Sequence, residues 1–251
     1  HQEFNNFVIT ALRHIIFWSL PIITLVVVLR AQIVRVLLGS GSFDWHDTRL
    51  TAAVLGLFVV SLTAQSVLLL LVRAFYAGGR TRIPFILTLV GTIVGSLSAY
   101  GFYFYFQSSS YFRYLIANIF RLNDVSGTEV LTLPLGFTIG VLVQVVLMMF
   151  FLTKTFGLSL RLLGKEFIIA LFAALSGGIF AYLTLIFVVE GINQETFIGI
   201  FIQGLSASIV GIGGIIATYY LLGSTELKEI HRSFKVKLFK TDVVAPQPDV
   251  I

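Results

Sequence analysis

Cysteine is absent from the chain, which excludes structural disulfides and thiolate metal sites. Charge is scarce as well: Asp, Glu, Lys and Arg make up 12% of the 251 residues, whereas soluble domains carry about a quarter. No acidic residue, lysine or histidine lies near the middle of any long apolar run. Buried groups of that kind are the usual mark of a proton or ion relay, so the sequence does not describe a self-sufficient proton-coupled pump. The four histidines, His1, His14, His46 and His231, are scattered and form no ligand cluster. A Walker loop, a Gly-rich dinucleotide fingerprint, an HExxH motif and any Ser/His/Asp order are missing too. The chain reads as a non-enzyme without cofactor or metal that does not itself bind ATP. Its net charge of +5 is read through position rather than as a nucleic-acid footprint.

What the chain has in plenty is apolar length. Hydrophobic residues make up 57% and the mean hydropathy is +0.96. Crossing a bilayer core as a helix takes ~20 apolar residues. Six runs qualify: about Thr10 to Leu29, Thr51 to Val72, Pro84 to Phe106, Leu133 to Thr153, Phe167 to Val189, and Phe197 to Leu222. None alternates as a barrel strand does, so the fold class is all-α, a polytopic bundle of six transmembrane helices. Pro21 lies inside the first run and is expected to kink it, with neighbouring helices re-satisfying the backbone. In the long linker from Gln107 to Thr132, YFRYLIANIF has an apolar, aromatic face at helical spacing. It suits a short helix lying in the interface, or an ordinary loop helix.

Charge position sets an orientation. With six spans, the N-terminus, the linkers after spans two and four, and the tail share one side. That side holds Arg13, Arg73, Arg80, Arg82, Lys154, Arg161, Lys165, Lys228, Arg232, Lys235, Lys237 and Lys240 of the 17 cations. Only Arg30, Arg35, Arg49, Arg113 and Arg121 fall on the other. The positive-inside rule makes the first side cytoplasmic, with both ends of the segment inside. The stretch RAFYAGGRTRIP, Arg73 to Pro84, is then a cytoplasmic hairpin. Gly78 and Gly79 make its turn and Pro84 starts the next helix. The tail from Ser224 is basic and suits contact with anionic headgroups.

Several residues invite a functional reading. Amides and hydroxyls sit mid-span at Gln65, Ser66, Ser96, Ser98, Gln144, Gln203, Ser206 and Ser208. They serve either as interhelical glue or, at Gln65 and Gln144, as lining of a substrate path. Gly204-xxx-Ser208 and Ala207-xxx-Gly211 are small-xxx-small patterns suited to tight packing of the last two spans, or to a smooth groove for a lipid chain. In the linker GSGSFDWHDTRLT, Asp44 or Asp47 can cap the second span. The same linker offers an exit-side contact, or a metal site if His46 is added to the two acids. Entry through HQEFNNFVITALRHIIFW reads as the interior of a longer protein.

Three pieces, in order, resemble the MurJ/MviN lipid II flippases of the multidrug/oligosaccharidyl-lipid/polysaccharide exporter superfamily. They are LPIITLVVVLRAQIVRVLLGSGSFDWHDT (a Pro-containing span and its outer linker), LLLLVRAFYAGGRTRIP (the hairpin), and the spacing of the later spans around KTFGLSLRLLGKEF. Members have fourteen spans: two six-span lobes around a cavity, then a helix pair. The resemblance implies that residues 1–155 supply four spans of the second lobe, 156–222 the terminal pair, and 223–251 a basic cytoplasmic tail. It implies flipping of lipid II across the bacterial inner membrane by alternating access. The partners would be a lipid-linked oligosaccharide, membrane lipids, and an N-terminal lobe in cis or on a partner chain. Arg73, Arg80 and Arg82 would stand at the cytoplasmic mouth, suited to pyrophosphate. Gln65 and Gln144 would face the cavity, and the last two spans would form a tail-side groove. The chain departs from the family at Arg80, where an acidic residue is common, and at Ile83, which replaces a Thr. Gly95 and Ala99 stand where relatives carry polar side chains, and the linker after the third span is atypically long. The alternatives are an exporter of another lipid-linked polysaccharide or of drugs, and a non-transporting scaffold or half-protein that needs a partner.

Overall fold

The computed structural model describes residues 2–39, 43–158, 163–189 and 196–228. Most of the basic tail, including Arg232 to Lys240, lies outside them, as does Arg161. The described residues include eight α-helices, α1 Gln2–Leu38, α2 Trp45–Val60, α3 Leu62–Ala77, α4 Arg82–Ser108, α5 Ser110–Phe120, α6 Thr132–Phe156, α7 Gly164–Val189 and α8 Phe197–Leu221, and residues 225–228 are helical as well. One 3-10 turn, Thr128–Leu131, precedes α6. Six of the resulting units are long and apolar enough to cross a membrane, with α2 and α3 together making the second. The protein is a polytopic helical bundle. Large apolar side chains cover its outside, among them Phe85, Leu97, Phe104, Val146 and Phe187. In lipid such exposure costs nothing, because acyl chains are as apolar as leucine.

Helix association must therefore come from close packing and from polar contacts. The α4–α6 pair uses the first. Gly91 and Gly95 of α4 face Gly136 and Gly140 of α6 so closely that a Cβ on Gly140 would stand 2.7 Å from Gly91 O and from Gly95 Cα. Ala99 meets Gly136 in the same seam. Backbone lies against backbone, with no room for a side chain.

Helix α1 packs on α7 and α8 by other means, and Pro21 shows how. Proline has no N–H to give to the carbonyl four residues earlier. In α1 that carbonyl belongs to Phe17, and the Tyr219 hydroxyl of α8 donates to it at 2.7 Å. The Phe17 and Tyr219 rings stack with centroids 4.2 Å apart. The neighbour expected to re-satisfy the backbone is thus Tyr219.

The second span departs from expectation. It reads as one continuous apolar run, yet the helix is interrupted at Ser61, which is fully buried. Both the Ser61 N–H (3.0 Å) and its Oγ (2.7 Å) donate to Phe58 O. Gln65 Nε2 in turn donates to Ser61 Oγ at 2.7 Å, and Thr138 Oγ1 of α6 reaches Leu57 O, the carbonyl four residues before the break, at 3.4 Å. A serine that bonds back to its own backbone competes with the helical ladder, and here the competition is backed by two further polar side chains.

Between α4 and α6, Ser109 Oγ accepts the Phe112 N–H and opens α5. Tyr111, Tyr114 and Ile119 of α5 are exposed and Ile116 is buried against Ala53, Phe106, Leu122 and Leu131. The short helix expected over YFRYLIANIF is present.

Candidate functional site

The arginine hairpin is built by a helix stop. Arg80 N–H bonds Phe75 O at 2.9 Å and Gly79 N–H bonds Tyr76 O at 3.0 Å, with Gly79 at φ 70°. This is the paired closure that a left-handed glycine allows at a helix end. Gly78 leaves room for the Phe156 ring of α6, whose tip a Cβ there would displace. Arg73, Arg80 and Arg82 are all exposed, and none of the three guanidiniums bonds to another described residue.

Arg73 continues a surface that begins deeper in the bundle. On α3 the exposed residues Leu62, Ser66, Leu69 and Arg73 recur at helical spacing and form one stripe. The stripe borders an open groove of about 440 Å³ between α1 and α3. His14, Trp18, Ser19 and Ile22 line its other wall, and Ser66 and Leu62 line this one. Thr63 Oγ1 donates to Ser19 Oγ at 2.9 Å and ties the two walls. The groove is mostly apolar, with His14, Ser19 and Ser66 as its polar points.

The two glutamines stand elsewhere. Gln65 is half-buried and committed to Ser61. Gln144 is buried between α6 and α4, where its Nε2 donates to Thr88 Oγ1 at 2.8 Å. It borders a recess of about 240 Å³ with Gly91, Thr92, Gly95 and Ser96. The structure thus does not bring Gln65, Gln144 and the three arginines into one site.

Among the small residues of α8, Gly211 meets Gly177 and Ala181 of α7 and also Leu25 of α1. Gly204 instead faces Gln32 of α1, where a Cβ would stand 3.3 Å from Gln32 Cβ. Ser208 Oγ donates to Gly204 O at 2.7 Å. Gly204 and Ser208 border an open, mostly apolar groove of about 290 Å³ between α1 and α8, with Leu29, Gln32 and Phe201.

At the end of the bundle opposite the hairpin, Asp44 caps α2. Its side chain accepts the Asp47 N–H at 2.9 Å, and the Asp47 carboxylate accepts the Asp44 N–H at 3.2 Å. The Asp47 N–H is the main reason the Asp44 carboxyl lies below its ordinary range. His46 sits between Asp44 (3.7 Å) and Asp124 (3.4 Å). Asp124 is bonded by Arg49, which holds that carboxyl low in turn. Among the described residues no group of three or more His, Asp or Glu is placed to hold a metal.

A further polar cluster escaped the sequence reading. Arg13 of α1 bonds Glu166 of α7 at 3.1 Å, and its Nε donates to Glu226, beyond α8, at 2.9 Å. Ser224 Oγ donates to the other Glu226 oxygen at 2.9 Å. Burial opposes charge on Glu226, but its own backbone N–H, Ser224 and Arg13 outweigh that and hold the carboxyl below its usual range. The three partners lie far apart in sequence and follow no motif. The α1–α3 groove was missed for a related reason: His14, Ser19 and Ser66 are ordinary singly, and only the pairing of the helices collects them.

No match was found among curated proteins or among solved structures. The family model described as the lipid II flippase MurJ matches residues 1–111, from α1 through α4 to the start of α5, and so takes in both the Pro21 span and the arginine hairpin.

Proposed function

We propose that the chain is part of a lipid II flippase of the bacterial inner membrane. In this reading the hairpin end faces the cytoplasm and α1 and α3 form one wall of the substrate path. The observation that carries the reading is the match of residues 1–111 to the MurJ family. The groove supports it by its position, since its stripe runs from Leu62 and Ser66 down to Arg73. A lipid-linked oligosaccharide has a charged pyrophosphate, a polar sugar head and a polyprenyl tail. Arg73, Arg80 and Arg82 suit the first, because a free guanidinium pairs well with phosphate oxygens. Ser66, Ser19 and His14 offer hydrogen bonds on the way, and the apolar rest of the groove lets a head group move on without being trapped. Residues 1–155 would be the later part of the second lobe, 156–222 the terminal pair, and 223–251 a cytoplasmic tail. The remaining wall would come from a lobe in cis or on a partner chain.

Residues 1–251 contain no native cysteine, so a cysteine introduced among them is the one labelling site within this segment. A cysteine at Ser66, treated with a bulky methanethiosulfonate in the full-length protein, should block the appearance of lipid II on the outer face. One at the lipid-exposed Leu97 should not. Equal activity after both treatments would remove the α1–α3 groove from the path.

A further inference from the structure

Two arginines at the end of the bundle away from the hairpin, Arg30 and Arg121, bond to no acid among the described residues. Arg30 follows directly on the apolar run from Thr10 to Leu29 and is half-buried. Among the described residues its one bond runs from Nη1 to Val27 O, at 2.8 Å. Its guanidinium lies 6.0 Å from the centre of the Phe120 ring, a cation–π contact. Its stem passes over Gly56 of α2, where even a Cβ would come within 3.2 Å of Arg30 Cδ. The remaining N–H donors of Arg30 bond to no described residue and are not sealed from the surface.

Arg121, next to Phe120, adds a second positive charge that acts directly on Arg30. It ends α5 in a left-handed conformation with φ 57°, which is uncommon for a residue other than glycine. Arg49 pins it there by donating from Nη1 to Arg121 O at 3.1 Å. The Arg121 side chain is exposed and bonds to no described residue. Asp124, which Arg49 holds together with Arg121 O, is already shared between Arg49 and His46. Exposed Tyr100, Tyr103, Tyr105, Tyr111, Tyr114 and Trp45 surround this end of the bundle. A belt of Tyr and Trp marks the level of lipid headgroups.

Arg30 on the Phe120 ring and Arg121, the residue after Phe120, thus offer two guanidiniums at headgroup level that no described carboxylate engages, and a phosphate group is the partner that guanidinium chemistry favours. We infer that Arg30 and Arg121 bind a phosphate group at the end of the bundle opposite the arginine hairpin, with Phe120 and Gly56 setting the position of Arg30. The ligand class is an anionic phosphate, either the headgroup of an outer-leaflet lipid or a free phosphate ion. The inference does not rest on the flippase reading.

The test uses the full chain in dodecylmaltoside micelles with a fluorescent short-chain phosphatidylglycerol as probe, and reads the dissociation constant by anisotropy. Arg30→Gln and Arg121→Gln should each weaken binding by about tenfold or more, the scale of losing one charged hydrogen bond. Arg113→Gln, in which the lost arginine bonds only to Ser110, should leave binding unchanged. Competition by inorganic phosphate at low millimolar concentration assigns the site to the free ion. No competition, with the Arg30 and Arg121 effects intact, assigns it to the lipid. Unchanged binding in both glutamine variants would overturn the proposal, and so would an equal loss in Arg113→Gln, which would mean general surface charge. A retained thermal unfolding midpoint shows that a variant is folded. If Arg30→Gln fails that check, Arg121→Gln, on an exposed side chain, decides alone.

Discussion

The α4–α6 pair and the α1–α7–α8 group face the same problem, holding helices together where lipid offers no hydrophobic drive, and solve it differently. In the first, Gly91, Gly95, Gly136 and Gly140 let two backbones touch, with a hydrogen bond from the buried Gln144 amide to the Thr88 hydroxyl alongside. In the second, Gly177 and Gly211 bring α7 and α8 close at one point, and side chains do the rest of the tying: Arg13 with Glu166 and Glu226, Tyr219 with Phe17, and Ser176 with Thr218 at 2.6 Å. A seam of backbones tolerates no added atoms but contains little that can be left unpaired. A set of polar ties tolerates change in size but leaves an orphan whenever one partner is removed.

The sharpest way to break that contrast is to add bulk to the seam. Gly140→Leu has no space to enter, because the atoms it meets are main chain. Overpacking of that kind is expected to exceed about 3 kcal/mol. The variant should yield no monodisperse protein on size exclusion in detergent. The same substitution at Gly213, which has nothing within 4 Å of its Cβ position, should be tolerated.

Next in size is Arg13→Ala, which leaves Glu166 and Glu226 side by side without their cation. Breaking a buried ion pair from one side costs about 3 kcal/mol or more. Thermal unfolding should show a large drop that Arg13→Lys partly restores. Equal midpoints for Arg13→Ala and the unaltered protein would show that this end of the bundle is not held by charge.

A smaller effect is expected from Tyr219→Phe, which keeps the stacked ring and removes the donor to Phe17 O, at about 1–2 kcal/mol. Pro21→Ala supplies the missing N–H from α1 itself. In that background the cost of Tyr219→Phe should shrink, and a double-mutant cycle measures by how much. Purely additive effects would sever the link between the proline and the tyrosine.

The smallest effect belongs to the hairpin. Arg80→Gln removes an exposed, unpaired charge and should shift the unfolding midpoint by no more than a surface change does, within about 0.5 kcal/mol. A larger shift would mean that the hairpin arginines serve the fold.

The same contrast explains what was legible in the sequence. Six spans, the hairpin turn and the short helix after the third span follow from apolar length, Gly78-Gly79 and the aromatic face of YFRYLIANIF. Pro21 announces a freed carbonyl, but not that Tyr219, 202 residues away, would answer it. Ser61 announces nothing, since a lone serine in an apolar helix usually bonds back without interrupting it. The glycines of α4 and α6 carry the same four-residue spacing as Gly204 and Ser208. The pattern alone does not say which helix each face meets, and Gly204 turns out to face α1. Of the candidate site, the exposure of Arg73, Arg80 and Arg82 could be read from a charged turn. The groove between α1 and α3 could not, because His14, Ser19 and Ser66 meet only once those helices pack.

The proposal that the full-length protein containing this chain moves lipid II across the inner membrane is tested most directly by its depletion followed by an assay of lipid II sidedness. The account predicts that lipid II accumulates on the cytoplasmic face and disappears from the outer one, and that re-expression restores it. Normal appearance of lipid II on the outer face after depletion would contradict it.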